Sequence, residues 1–275
     1  MRRLLILLAL GPGAMAAATA ADFDCLVEPK QIIDVRAPVE GMIEAIHVDR
    51  GDRVKAGQKL VDLNAGVERA ALELARFQAQ TQGVVMAARS RVEFAKRKVE
   101  RAEAMIGNVI SQADKDEART GQKVAEADLQ KALDEQRIAA LEAQRSEQVL
   151  RLKTIVSPID GVVTDRLRHP GEVTEGAQDQ KPLLQLAQIN PLNIEVVLPA
   201  SAIGAVHEKD TVEVVLRDHD HTTVHAQVLV VDPVVHSASE TFRVRMALPN
   251  PDYKIVAGVR CSARFDRAVE DTATK

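Results

Sequence analysis

The feature that most constrains the fold is an internal repeat whose two copies are separated by a long insertion. Four matched pairs lie 120 residues apart, namely Pro38/Pro158, Gly41/Gly161, Ile43/Val163 and Gly51/Gly171. After one deletion, two more pairs continue the match, namely Val54/Val173 and Gly57/Gly176. Each copy alternates apolar residues between glycine turns, which is typical of short strands. Because one copy is too small to bury a core alone, we expect the two copies to face each other as a flattened sandwich.

The insertion between the copies carries two long heptad stripes. The first is apolar at ten of its twelve positions: Val67, Ala71, Leu74, Gln78, Thr81, Val85, Ala88, Val92, Ala95, Val99, Ala102 and Ile106. The second is apolar at seven of its ten positions: Ala118, Gln122, Ala125, Leu129, Ala132, Gln136, Ala139, Ala143, Ser146 and Leu150. Steps of four and three sustained over this length predict a coiled coil.

A turn between the stripes predicts that the insertion folds back on itself. Residues 107–110 supply the turn, and Ser111 can cap the helix that follows. An arm of roughly forty residues would be about 60 Å long, and Gly83 and Gly121 weaken the arms locally. A dimerisation rod is disfavoured because the segment returns the chain to the second copy. Residues 64–153 carry 16 basic and 14 acidic side chains, so the outer faces are expected to be solvated.

Residues 1–21 have the order of a secretory signal peptide. Two arginines precede the apolar run from Leu4 to Leu10, and small residues end at Ala20 and Ala21. An uncleaved anchor is the alternative, although the run is short for a membrane span; a lipid anchor on Cys25 is disfavoured by the residues before it. An exported chain favours a disulfide between Cys25 and Cys261, with two unpaired cysteines as the alternative.

The chain after residue 190 reads as a small all-β unit. Asn190-Pro191 predicts a break, and five alternating runs predict half-buried antiparallel strands: Leu192–Leu198, Thr211–Leu216, His225–Val231, Phe242–Leu248 and Val259–Phe265. A short helix is expected to begin at Ser201. These elements predict a barrel-like domain over residues 191–267, followed by a tail at 268–275.

Nothing in the sequence resembles an assembled active site. His219, His221 and His225 lie beside two aspartates, and a zinc or copper site is one interpretation. Their Asp-His-Asp-His-Thr-Thr setting is more typical of a polar loop. Nucleophile-elbow, HExxH and P-loop patterns are absent, and a net charge of −4 excludes the electrostatic field that nucleic-acid binding needs. We therefore expect no enzyme activity, cofactor or metal, and no nucleic-acid partner.

The first repeat copy resembles half of a biotinyl/lipoyl domain. The resemblance lies in Gly-(x)9-Gly-Asp-x-Val-x-x-Gly-Gln-x-Leu, which begins at Gly41 and ends at Leu60. In carriers of that fold, the modified lysine lies in a turn between the halves, where this chain has residues 64–153 instead. Lys55 and Lys59 lie near the Gly turn of the first half. A carrier domain of an enzyme complex is therefore the disfavoured alternative, and a stand-alone envelope scaffold is another.

The order of these segments resembles the HlyD-type membrane fusion proteins, the periplasmic adaptor subunits of efflux and secretion systems. The resemblance implies a mixed α and β, elongated fold. A split biotinyl/lipoyl-like β-sandwich (22–63 and 154–190) would hold an inserted antiparallel α-helical coiled-coil hairpin (64–153), followed by a small antiparallel β-barrel (191–267). Residues 232–252 resemble the family's barrel segment, whereas Ala257-Gly258-Val259 replaces its usual Pro-Gly-Met turn.

The resemblance also implies a function and a location. The protein would link an inner-membrane transporter, RND-type foremost, to an outer-membrane channel in the periplasm of a Gram-negative bacterium, as a homo-oligomer of three to six copies (trimer to hexamer). Arg101, Met105 and Ser111 approximate the family's channel-docking motif at the hairpin tip, with Met for Leu and one residue fewer before the Ser. The short segments outside the repeat and barrel lead us to expect the family's membrane-proximal domain to be absent or vestigial.

Overall fold

The computed structural model describes residues 21–105, 111–176, 181–217 and 221–265. The strands are β1 (Ala21–Val35), β2 (Glu40–Ile46), β3 (Arg53–Val54), β4 (Lys59–Leu63), β5 (Thr154–Val156), β6 (Gly161–Arg166), β7 (Val173–Glu175), β8 (Leu184–Pro199), β9 (Thr211–Leu216), β10 (Thr223–Val231), β11 (Thr241–Leu248) and β12 (Arg260–Phe265). The helices are α1 (Gly66–Gln80), α2 (Gly83–Ala104) and α3 (Gln112–Arg151). The predicted signal peptide lies outside the described residues except for Ala21, and the predicted tail lies outside them entirely; both stay predictions.

Six strands close into an antiparallel barrel in the order β1-β12-β9-β10-β11-β8, with β8 pairing back onto β1. The predicted alternation is confirmed, because Val212, Val214, Val244 and Met246 are buried in the barrel while Arg243 is exposed. Closing a sheet in this way removes free edges, which would otherwise pair with other chains.

The sixth barrel strand comes from the start of the described chain. The sequence predicts five strands after residue 190 and places residue 22 onward in the sandwich. In the structure, the first part of β1 pairs with β12, and Val27 is fully buried in the barrel core. The rest of β1, from Gln31 to Val35, pairs with β8 beside the sandwich core. One strand therefore contributes to two domains, which a segment-by-segment interpretation of the sequence does not provide.

Two local predictions in this region were wrong. The break expected at Asn190-Pro191 is absent, because β8 continues through both residues, whose peptide bond is cis. The register shifts between Pro29 and Gln31 on the facing strand, so the missing N–H of Pro191 lies in a bulge where no ladder hydrogen bond is required. The helix expected from Ser201 is a single 3₁₀ turn, Ala200–Ala202, whose N-cap is Pro199 and makes no side-chain cap.

The two repeat copies interlock in the sandwich. Strand β3 of the first copy pairs with β6 of the second, and β7 of the second pairs with β2 of the first. Their shared core contains Ile43, Leu60, Val163 and Leu186, each at most 1% exposed. The matched turn glycines Gly51/Gly171 and Gly57/Gly176 all have positive φ, between 73° and 92°, a conformation that L side chains rarely adopt. Neither copy could form these pairings alone.

The insertion forms helices whose two arms pack against each other. Helix α3 is continuous over forty residues, and every predicted position of its stripe is buried or half-buried. In α2 the predicted positions Val85, Ala88, Val92, Val99 and Ala102 are likewise buried. The predicted turn at 107–110 and Ile106 lie outside the described residues.

The predicted stripe is wrong in α1. Val67, Ala71 and Leu74 are exposed, and the helix buries Leu72 and Ala75 instead, one residue later. The first arm is interrupted at Thr81, whose ψ of 116° is extended. Because α1 and α2 are separate helices, one heptad phase does not apply to both, and a phase that is correct for α2 misses the core face of α1.

Candidate interaction surfaces

The predicted docking residues lie at the distal end of the hairpin. Arg101 is exposed in the last turn of α2, Met105 follows that helix with 43% of its surface exposed, and Ser111 is the N-cap of α3. Just below them, Val99, Ala102 and Ala118 form a small buried cluster. The structure thus brings the three residues to one end of the hairpin, and channel docking through them stays a prediction.

Ser111 has a structural role that its sequence position indicated. Its Oγ accepts a hydrogen bond from the Asp114 backbone N–H at 3.1 Å, and the Ser111 N–H donates to the Asp114 carboxylate at 3.2 Å. This reciprocal capping box satisfies N–H groups that a helix start leaves unpaired. Hydrogen bonds from the Ser111 side chain and backbone also hold the pKa of Asp114 below its ordinary value. The predicted cap is confirmed, and Ser111 therefore also sets where α3 begins.

Ion pairs join the two arms along their edges. Lys98 lies 3.4 Å from Glu117, Arg119 lies 2.9 Å from Glu103, and Arg76 in α1 lies 3.5 Å from Glu147 in α3. All these side chains are about half exposed or more, so each pair contributes little to stability. In the observed register, each of these pairs joins opposite charges on the two arms.

A lysine joins the hairpin base to the sandwich. The Lys153 Nζ donates to the Glu40 carbonyl at 2.9 Å and pairs with the Glu68 carboxylate at 3.0 Å. Its side chain is only 11% exposed. The hydrogen bond from Lys153 lowers the pKa of Glu68, against a smaller opposing effect of burial. The end of α3, the start of α1 and β2 are thereby connected at one ammonium group.

A carboxylate plays a similar role within the sheet. Asp62 on β4 accepts hydrogen bonds from His47 at 2.8 Å, Lys59 at 3.2 Å and the Thr154 hydroxyl at 3.0 Å. Burial raises the pKa of Asp62, but these hydrogen bonds outweigh burial and the pKa lies below its ordinary value. Lys59, which the carrier alternative requires as an attachment point, is therefore part of an ion pair inside one half of the domain.

The sandwich and the barrel also meet outside the shared strands. The Arg53 guanidinium on β3 donates to the Asp252 carbonyl at 3.1 Å and lies 4.7 Å from the centre of the Tyr253 ring, a cation–π contact. Beside them, the buried Asn250 donates to the carbonyls of Ile189 and Ile255 at 3.0 Å. The loop between β11 and β12 is thus held against the sandwich by specific polar contacts.

The two cysteines are directly opposite each other on β1 and β12, and their sulfurs are bonded. The bond joins residues 236 positions apart in the sequence. Cys261 is fully buried and Cys25 nearly so. Whether the protein in solution carries this disulfide stays a prediction that a thiol titration checks.

The remaining candidate sites lack a shared geometry. Lys55 lies in the turn before β4, where its backbone N–H donates to Gln58. His219 lies outside the described residues, while His225 on β10 faces Glu213 of β9. Within the ranges that the structure describes, histidine, cysteine and acidic side chains do not form a group of three that could hold a metal ion. Within the same ranges, the helices are too polar or too short to cross a membrane.

The residues that the sequence analysis missed are those whose partners are distant. Lys153, Asp62 and Arg53 each contact a residue that only the folded chain brings near. For Arg53, the sequence offered one indication of its partner. Tyr253 is the one tyrosine of the chain and directly follows the Pro-Asn-Pro-Asp turn. Its position in a loop did not show, however, that its cationic partner lies on the sandwich.

Two family descriptions match the chain. The barrel-sandwich hybrid domain of RND membrane fusion proteins matches residues 31–186, more than half of the chain. The CusB-like β-barrel domain matches residues 192–269.

Relatives and solved structures agree with these matches. The pyoverdine export membrane fusion protein PvdR of Pseudomonas putida is 37% identical over 205 residues, which are 71% of this chain and 52% of that protein. PvdR of Pseudomonas aeruginosa is 32% identical over 66% of this chain and 46% of its own length. The chain spans about half the length of the curated relatives it matches. MacA of Actinobacillus actinomycetemcomitans has a similar fold, with a TM-score of 0.74 and 20% identity over 90% of this chain and 79% of that chain.

Proposed function

This chain belongs to the RND-type membrane fusion proteins, and we propose from that premise that it is a non-catalytic periplasmic adaptor. In this role it links an inner-membrane transporter, RND-type foremost, to an outer-membrane channel for the export of small molecules. It acts as a homo-oligomer, trimer to hexamer, whose barrels contact the transporter. The sandwiches help to form a ring, and the hairpins bundle into a tube.

The observation that carries the proposal is the way the hairpin is built into the sandwich. The forty-residue α3 is about 60 Å long, and both arms enter the same small domain, where Lys153 ties their bases together. Because both arms are anchored in the sandwich at one end, the hairpin can hold a fixed distance between the sandwich and a partner at its tip. A flexible linker or a swinging arm would need the opposite property.

The relatives suggest the chemical class of the exported molecule and not its identity. The names of the two PvdR proteins assign them to pyoverdine export, and a small exported molecule is the corresponding proposal for this chain. Ring formation by the sandwich would leave a path along the oligomer axis. In this proposal the transporter supplies the energy for transport.

The test is to replace residues 66–151 by a four-residue turn, which keeps Lys153 and the sandwich. Strains that carry the full chain, the shortened chain or a deletion are compared by mass spectrometry of the compounds in the medium. We expect the shortened chain to fold, with a barrel thermal transition like that of the full chain, and export to fall to the deletion level. Undiminished export in the strain with the shortened chain would contradict the adaptor proposal.

A measurement of intact mass distinguishes the adaptor proposal from the carrier-domain alternative. The proposal expects the purified chain to have the mass of its unmodified polypeptide after any signal-peptide cleavage. A lipoyl or biotinyl increment on Lys55 or Lys59 would favour a carrier domain instead.

A further inference from the structure

A groove lies where the two repeat copies meet at the base of the hairpin. It has a volume of about 640 Å³ and is lined by the end of β1 with the residues that follow it, by the last turn of α3, and by β5. Its lining includes Asp34 and Arg36 from the first copy, and Arg151, Leu152, Ile155 and Val156 from the hairpin and the second copy. This volume is in the range of small-molecule sites.

The groove lies on the approximate two-fold relation of the repeat. Asp34/Thr154, Val35/Ile155, Arg36/Val156 and Pro38/Pro158 are each 120 residues apart. The same segment of each copy therefore forms one wall of the groove. The end of α3 contributes only to the second wall, so the inserted hairpin gives the groove residues that the repeat alone does not contain.

The floor of the groove is apolar and partly open to solvent. Leu152 remains 43% exposed and Val156 remains 45% exposed, although both lie beside the sandwich core. The lining also contains the charged side chains of Asp34, Arg36 and Arg151. Covering these apolar surfaces with a hydrocarbon would release water from them and contribute favourably to binding.

Arg151 on the rim differs from the other cations around the hairpin base. Arg69 pairs with Glu44, Arg76 with Glu147, and Lys153 with Glu68. Across the described residues, Arg151 makes no ion pair or side-chain hydrogen bond. The nearby Asp34 carboxylate already accepts from Gln185 at 3.1 Å and lies 4.0 Å from Arg36.

The last carbonyls of α3 already accept hydrogen bonds from backbone N–H groups. The Leu152 N–H donates to carbonyls of the last turn, and the Lys153 N–H donates to the Leu150 carbonyl at 3.0 Å. The guanidinium of Arg151 is thus available on the rim of an apolar groove. A guanidinium presents a fork of donors that matches a carboxylate or a phosphate.

We propose that this groove binds an amphipathic anion. The hydrocarbon body lies on Leu152, Ile155 and Val156, and the anionic headgroup pairs with Arg151. The occupant is a single small molecule and not a second copy of the chain, because the charged rim and the limited volume fit one headgroup on one hydrocarbon. The proposal concerns a ligand of one protomer and does not rest on the adaptor role proposed above.

The test titrates the full chain with a dansyl-labelled undecanoate and with its neutral amide, and follows dansyl fluorescence. R151Q is expected to weaken binding of the carboxylate by about tenfold, since a charge-assisted contact is lost, and to change binding of the amide less than about twofold. V156E places a negative charge in the groove and is expected to weaken binding of the carboxylate probe at least as much as R151Q does. R145Q is the matched control, because Arg145 is exposed on the same helix outside the groove.

Several results would overturn the proposal. One is an equal loss with R145Q and R151Q, and another is an equal loss of carboxylate and amide binding. Binding to phosphatidylglycerol vesicles without binding of the monomeric probe would point to a membrane surface instead. Dissociation of a self-assembled chain by R151Q in sedimentation, with no probe binding, would identify a second copy as the occupant. Unchanged thermal transitions of all three variants ensure that these outcomes concern binding and not folding.

Discussion

The side chain of Lys153 joins the base of the long helical insertion to the sandwich. Its ammonium group connects three elements within 3.0 Å contacts, and its aliphatic stem is largely buried. A cation in this position stabilises the fold because it is hydrogen-bonded and paired; burial without those partners would be costly.

Replacing Lys153 by Met is predicted to lower the free energy of unfolding by about 2 kcal/mol, because Glu68 and the Glu40 carbonyl lose a charged donor. The measurement is urea denaturation followed by far-UV circular dichroism. K131M is the control, because Lys131 is 77% exposed and pairs only within its helix, and its effect should stay within about 0.5 kcal/mol. Equal effects of the two variants would contradict the role of Lys153.

The same pair predicts a pH dependence. The pKa of Glu68 lies below its ordinary value in the folded chain because Lys153 donates to it. A lowered pKa contributes stability that is present above the ordinary carboxyl range and is lost as the pH falls through the lowered value. The difference between K153M and the parent chain should therefore shrink in acid. A difference that stays constant from neutral to acidic pH would argue against this pairing.

Among the helices, a heptad stripe predicted the buried face of the long α3 but not that of the short α1. The stripe of α3 is correct at every position because forty residues of unbroken helix keep one phase. The stripe of α1 is one residue out because α1 is short, rich in alanine and apolar on two faces. Alanine fits a tightly packed interface and also an exposed helix surface, so composition does not separate the two.

The α3 seam gives a direct comparison between adjacent positions. Ala125 is 9% exposed and Val124 is 57% exposed. A125D is predicted to destabilise the hairpin by about 3 kcal/mol, since a carboxylate would be buried without a partner, whereas V124D should change it by less than about 0.5 kcal/mol. Thermal unfolding monitored by the helical signal measures both. A larger loss with V124D than with A125D would place the seam on the wrong face.

At the scale of the whole molecule, two shared strands join the domains. Strands β1 and β8 pair in the barrel and also beside the sandwich, so the domains are connected by a two-stranded ribbon and not by a flexible linker. The contact between Arg53 and Tyr253 adds a second connection across the junction. Together they limit how far the barrel can rotate against the sandwich.

The disulfide is predicted to stabilise the barrel by constraining the unfolded chain. Because Cys25 and Cys261 are 236 positions apart, their bond closes a very long loop, and the double variant C25A/C261A should lose about 3–5 kcal/mol of barrel stability. The non-reduced parent chain should release no thiol to Ellman's reagent after denaturation, and C261A should release one. A thiol signal from the denatured parent chain would show that the cysteines are unpaired.

Features that depend on neighbouring residues were predictable from the sequence: the repeat and its turn glycines, the long α3 seam, the capping box at Ser111, and the alternation of the barrel strands. Each follows from a local periodicity or a local backbone conformation. Other features became visible only in the folded chain. Strand β1 closes the barrel, β8 continues through Pro191, α1 buries Leu72 and not Leu74, and Lys153 has an ion-pair partner whereas Arg151 has none among the described residues. These outcomes depend on which distant segments come together, and neither propensity nor spacing along the chain contains that information.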